Sequence, residues 1–162
     1  MKLKVNQDRQ IEEAEIVINC PLIDTRIRNI IDCIRQCTAS LSGTIGEVTV
    51  HAPLDSILYI ESVDRKTFFY DTKRAFRCSA SLSVLEDQLE DYLFARISKS
   101  CIVNITKVSS FYHCDNHKLG ILLNNGERLV AGRTYAEDVQ NKIKSFHIMT
   151  FEDEGSKRAA GF

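Results

Sequence analysis

Proline and glycine are scarce in this chain, 2 and 7 among 162 residues. With 44% hydrophobic residues, that scarcity excludes a low-complexity disordered polymer and a fibrous repeat. An excess of charge of one sign is also lacking: the net is −1 at pH 7, so the chain as a whole does not announce a polyanion partner. No apolar run approaches the roughly 18 residues of a membrane helix. The opening MKLKVNQDRQIEE has no apolar core for a signal peptide, and the expected location is the cytoplasm. No CxxC occurs. The six cysteines (Cys20, Cys33, Cys37, Cys78, Cys101, Cys114) stand singly and read as small core residues or inert thiols in a reducing compartment. Cys33 and Cys37 would lie one helical turn apart, which allows a redox or metal pair beside the plainer packing reading. Catalytic signatures are missing too: there is no Gly-rich phosphate loop, no GxSxG and no HExxH. A non-enzyme with no cofactor is expected.

The length suffices for one domain with a real core, or for one domain plus a small appendage. Lys2 to Asn6 and Ala14 to Asn19 are short β-like runs, and Pro21 ends the second. Asp24 suits a helix N-cap. Ile27, Ile30, Ile31, Ile34 and Cys37 then recur at helical spacing, an amphipathic helix with one apolar stripe. Thr38 to Gly43 reads as a loop and as the best boundary in the chain. Residues 1–43 are therefore expected to form a strand-strand-helix appendage for dimerisation or partner docking. Its isoleucine stripe suits a second copy or the chain's own main domain equally.

From 44 to 148 short strands dominate, expected at 47–51, 57–61, 67–71, 75–78, 95–97, 102–105, 108–113, 119–123 and 128–131. Ser83-Val84-Leu85-Glu86 and Thr134-Tyr135-Ala136-Glu137 have the form of capping boxes opening two helices. Asn125-Gly126 is the strongest hairpin signal present. The stretch 149–162 has no pattern and is expected to be a disordered tail. The fold class expected is mainly β, α+β overall.

Two groupings of chemically active residues stand out. His113-Cys114-Asp115-Asn116-His117 holds two imidazoles and a thiol that a transition metal would accept. No second cluster completes a four-ligand site, and Asp-Asn between strands is ordinary turn chemistry, so no metal is expected. The other grouping is basic. Between Arg65 and Arg77 stand Arg65, Lys66, Lys73, Arg74 and Arg77 against the single acid Asp71. Three strand-end segments, 64–67, 96–100 and 132–134, combine cations with hydroxyls, the side chains that phosphate oxygens and base edges need.

Ile57-Leu58-Tyr59-Ile60-Glu61-Ser62, followed by a charged turn, and the helix Leu82 to Leu89 begin a family pattern. Phe94-Ala95-Arg96-Ile97-Ser98-Lys99-Ser100-Cys101-Ile102-Val103-Asn104 continues it, close to F-x-R-x-H-[KR]-S-[FY]-[LI]-V-N. The Asn125-Gly126 hairpin and Leu129-Val130-Ala131-Gly132-Arg133-Thr134-Tyr135, similar to L-P-[VI]-[SG]-R-x-[YF], complete it. From about Gly46 to Lys144 the chain resembles the LytTR-type (LytR/AlgR-type) DNA-binding domains of bacterial transcription regulators.

The resemblance implies an elongated fold of about ten strands in three small antiparallel sheets, which inserts loops rather than a recognition helix into the DNA major groove. It implies double-stranded DNA as partner, bound by pairs of molecules on short direct repeats. Base contacts fall on Lys66 or Thr67, on Lys99 and on Arg133. Phosphate contacts are expected from Arg65, Lys73, Arg74, Ser98, Ser100 and Thr134. Where the family pattern has His in its second motif this chain has Ser98, so its target sequence is expected to differ. With only some forty residues before the domain, against about 120 for a receiver, a stand-alone member is expected. The rival reading is a protein–protein interaction module, an anti-regulator of the same fold without operator binding.

Overall fold

The computed structural model describes the backbone of residues 2–159 and the side chains of residues 2–146. Residues 2–24 carry no strand. The expected strands at 2–6 and 14–19 do not form, because their backbone finds no ladder partner and a lone extended segment has only water to bond. The first helix, α1 (Thr25–Thr38), starts where expected: the Asp24 carboxylate accepts the Ile27 N–H at 2.9 Å.

The expected boundary loop is instead a strand, β1 (Ser40–Ile45), which pairs along its whole length with β2 (Val48–Pro53). Gly43 is there for proximity rather than for a turn. A Cβ at Gly43 would come within 2.5 Å of Phe69 Cε1, so only glycine lets β1 lie this close to that ring. Next come β3 (Tyr59–Val63), β4 (Lys66–Tyr70), β5 (Ala75–Cys78) and the short helix α2 (Leu82–Gln88). The cap of α2 is Ser81, whose hydroxyl accepts the Val84 N–H; Ser83, expected as the cap, lies inside the helix. Then follow β6 (Phe94–Ser98), β7 (Cys101–Asn104), β8 (Val108–Cys114), β9 (Lys118–Leu123), β10 (Arg128–Ala131) and α3 (Arg133–Ala159). Of the disordered tail expected over 149–162, the backbone of 149–159 instead continues α3, and 160–162 lie outside the described residues.

The fold is mainly β, with ten strands in antiparallel sheets as expected. They lie in two sheets rather than three, ordered β2-β1-β5-β4-β3-β7-β6 and β10-β9-β8. The reason is the pairing of β3 with β7, Tyr59↔Val103, Ile60↔Ile102 and Glu61↔Cys101, which fuses two hairpins that would otherwise stand apart. Strand alternation then buries both faces of the large sheet at β6 and β7, whereas β4 and β5 fully bury one face only. Ile60, Phe69, Phe76 and Ile102 point into a core shared with Leu85 of α2. Leu58, Ile97 and Val103 join a second core with Ile121 of β9 and with Val139 and Ile143 of α3. Each such side chain contributes roughly 1.5–3 kcal/mol by leaving water.

Helix α1 is fastened to this body by polar groups. Gln36 is 1% exposed; its Nε2 donates to Asn104 Oδ1 at 2.9 Å and its Oε1 accepts the Leu93 N–H at 3.0 Å. Asn104 is fully buried and donates onward to the carbonyls of Leu54 (3.2 Å) and Ile57 (2.7 Å). Asn29 Nδ2 donates to the Ser145 carbonyl of α3. Ile27, Ile30, Ile31 and Ile34 are half-buried, and none joins either core. No described helix is long and apolar enough to cross a membrane.

Candidate nucleic-acid interface

The β3–β4 connection is a two-residue turn. Val63 pairs with Lys66, and the two residues between them, Asp64 (φ 49°) and Arg65 (φ 62°), both lie in the left-handed region. A tight hairpin with right-handed twist needs that geometry and is normally supplied by Asn-Gly or Asp-Gly. An arginine held there costs the fold about 1 kcal/mol or more. Lys66 opens β4 with its side chain exposed, whereas Thr67 is 5% exposed and faces inward. Alternation gives the physical reason: Thr67 shares the face of Phe69 and cannot share the exposed one.

The β6–β7 turn presents Lys99 and Ser100, both exposed. It is braced from inside. Arg96 Nε donates to the Ser98 carbonyl at 2.7 Å, its guanidinium also donates to the Lys99 carbonyl, and its Nη1 pairs with Glu86 Oε2 of α2. The Ser98 hydroxyl accepts the Ser100 N–H at 3.1 Å, so this side chain is occupied in shaping the turn. Arg96 is a residue the sequence reading left without a role. Its planar fork spans two carbonyls and a carboxylate, which a lysine's point charge would not do.

The β6–β7 register shifts between Arg96 and Ser98. Ile97 O accepts the Gly132 N–H at 2.9 Å, tying the start of α3 beside the turn. Gly132 O then accepts the N–H groups of Tyr135 and Ala136 at 2.9 and 3.0 Å, so α3 begins at Arg133. Thr134, expected as its cap, stands exposed within the first turn. A cation at a helix N-terminus works against the helix dipole by roughly 0.3–1 kcal/mol, yet the same dipole favours an approaching anion.

One further bond completes the arrangement. Ser62 N donates to Ser100 O at 2.8 Å, locking the β3–β4 turn to the β6–β7 turn. The three cationic tips expected from sequence thus occupy one edge of the molecule. Arg65, Lys66, Lys99 and Arg133 make no ion pair among the described residues, whereas Arg74 and Arg96 are both engaged. Lys73 and Arg74 do not belong to this edge. They form the β4–β5 turn at the opposite end of β4, about 13 Å along the strand at ~3.3 Å per residue. Arg74 there pairs with Asp71 at 3.2 Å and stacks over the Phe76 ring. Burial pushes the Asp71 carboxyl up, but the N–H groups of Lys73 and Arg74 and the Arg74 guanidinium outweigh that and hold it below its ordinary value. Beneath the edge the Cys101 thiol is pushed up to about 12 by burial and by Glu61, and stays protonated at neutral pH. No group of three or more His, Cys, Asp or Glu residues suited to a metal occurs among the described residues.

A mainly β body with cationic loops on one edge presents the side chains that a nucleic-acid-binding domain offers to phosphates. Residues 47–144 match the LytTr DNA-binding domain model, and the chain belongs to that family. The sensory transduction protein LytT of Enterococcus faecalis is 24% identical over 99 residues, covering 60% of this chain and 41% of that protein. LytT of Bacillus subtilis is 25% identical over 108 residues, 67% of this chain and 44% of that protein. The chain thus spans less than half the length of the curated relatives it matches. The fold is also that of the solved LytTr DNA-binding domain of a Bacillus cereus protein, with a TM-score of 0.61 at 22% identity over 65% of this chain and 97% of that one.

Proposed function

We propose that this protein is a bacterial, cytoplasmic transcription regulator that binds promoter DNA through loops in the major groove. It works by binding, with no catalytic step and no cofactor. The observation that carries the reading is the pair of backbone bonds, Ser62 N to Ser100 O and Gly132 N to Ile97 O, that hold three unpaired cationic tips along one edge. In this reading Lys66, Lys99 and Arg133 reach base edges, and Arg65, Ser100 and Thr134 reach phosphates. Arg133 suits guanine O6 and N7, a bidentate contact worth about 1–3 kcal/mol of discrimination. The buried Thr67, the occupied Ser98, and Lys73 and Arg74 at the far end of β4 have no part in it.

Fluorescence anisotropy on DNA from upstream of the protein's own gene, against scrambled DNA, tests this. The wild type prefers the native fragment at least about tenfold, and Arg133→Ala removes the preference while keeping weak, salt-sensitive binding. Equal weak binding to both fragments, repeated with duplexes selected from a random pool, would sink the regulator reading in favour of an interaction module.

The regulator acts on short direct repeats as a dimer, paired through residues 1–43. Support comes from α1, whose Asn29 and Gln36 side chains bond to the body while its isoleucines join neither core. Sedimentation at micromolar concentration is the check, and a monomer there removes pairing in free solution.

A further inference from the structure

Beside the β3–β4 turn lies a groove of about 850 Å³ between β1, β2, β4 and the segment leading from β5 into α2. Its cationic lining is Arg65, Lys66 and Arg77, and Thr44, Thr49 and Ser79 are among its hydroxyls. No carboxylate lines it. Arg77 is exposed on β5, opposite Thr44 of β1, and makes no ion pair among the described residues. A concave surface with cations and hydroxyl donors and no acid matches the oxygens of a phosphodiester backbone.

We infer that this groove holds the DNA backbone beyond the base-reading tips, with Arg77 as its principal phosphate contact. The inference rests on the DNA-binding reading and extends its footprint. Arg65 and Lys66 belong both to the tip edge and to the groove, so one surface runs from Arg133 through Lys99 to Arg77. The strand order β6-β7-β3-β4-β5 fixes its length. From the β6–β7 turn to β5 is about three and a half strand spacings, or ~17 Å at ~4.8 Å each. At ~3.4 Å per phosphate along one DNA strand, that is about five base pairs. A contact from Arg77 to phosphate carries no base information, so its contribution is independent of sequence.

The test uses the full chain and a duplex of about three helical turns selected by the wild type from a random pool, with a scrambled duplex alongside. Ethylation interference on wild-type protein should reveal sensitive phosphates about five base pairs from those lost with Ser100→Ala at the β6–β7 turn. Arg77→Ala should weaken both duplexes alike and lose sensitivity at those distal phosphates. Raising salt from about 50 to about 200 mM should cost Arg77→Ala roughly three- to fourfold less affinity than it costs wild type, one contact's share. Arg77→Lys should restore most of the salt response. Selective binding by wild type with no distal ethylation sensitivity, or with Arg77→Ala unchanged in salt response, overturns the groove and leaves the regulator reading intact. Absence of salt-dependent binding to either duplex overturns both.

Discussion

Arg65 sits in a backbone conformation that suits glycine, and Arg133 sits at the helix end that repels cations. Both placements work against the stability of the fold, which is the pattern expected where a side chain is kept for a partner. Arg65→Gly is therefore expected to leave stability unchanged or to raise it by up to about 1 kcal/mol, while DNA affinity falls. Chemical denaturation together with anisotropy measures the two effects on one sample. Asp71 illustrates the opposite situation, a charged group serving the fold alone. Its carboxyl is held below 3.8, so the stability it contributes is present above that value and lost as pH falls through its lower folded pKa. Wild type should melt above Asp71→Asn at about pH 6, and the gap should close near pH 2.

At the scale of elements, turns and strand ends depend on residues that sequence patterns rank poorly. Arg96 reads as one more cation, yet its guanidinium spans the β6–β7 turn and reaches Glu86 of α2. Arg96→Lys retains the charge but loses the fork. It is expected to lower selective binding several-fold without moving the thermal transition by more than a few degrees, since the brace shapes a turn and not either apolar core. Asn104 ends an apolar motif as though it were a strand terminus. Buried, it serves Gln36, two carbonyls and Thr106 at once. Asn104→Ala leaves these partners unsatisfied and should cost about 2–4 kcal/mol in denaturant unfolding. The capping motifs were legible only as types. Ser81 rather than Ser83 caps α2 through its own hydroxyl, and Gly132 rather than Thr134 opens α3 because its N–H is held by the Ile97 carbonyl of β6.

For the whole molecule, the fastening of α1 decides how many units unfold. Gln36 reaches both Asn104 and Leu93, so α1 and the sheets share one buried polar network. A single cooperative transition is expected, and a chain starting at Ser40 should be destabilised by about 2–3 kcal/mol through the orphaned Asn104 and Leu93 groups. Scanning calorimetry of both forms checks this. Two separate transitions in the full chain would instead support an independent appendage. The β-like runs at 2–6 and 14–19 have strand composition without a strand partner, and propensity alone does not form a ladder.

Local chemistry in the sequence determined nine of the ten strands, β2 to β10, the α1 cap at Asp24, the Asn125-Gly126 hairpin and the three cationic tips, because period, capping and turn residues act over a few positions. Tertiary structure alone decided that β3 joins β7, that Gly43 serves close packing, that Thr67 faces inward and that Lys73 and Arg74 stand away from the tips. Those outcomes depend on which strands become neighbours and on which face of the sheet each side chain falls. Pairings between residues some forty positions apart leave no trace in any short window of sequence.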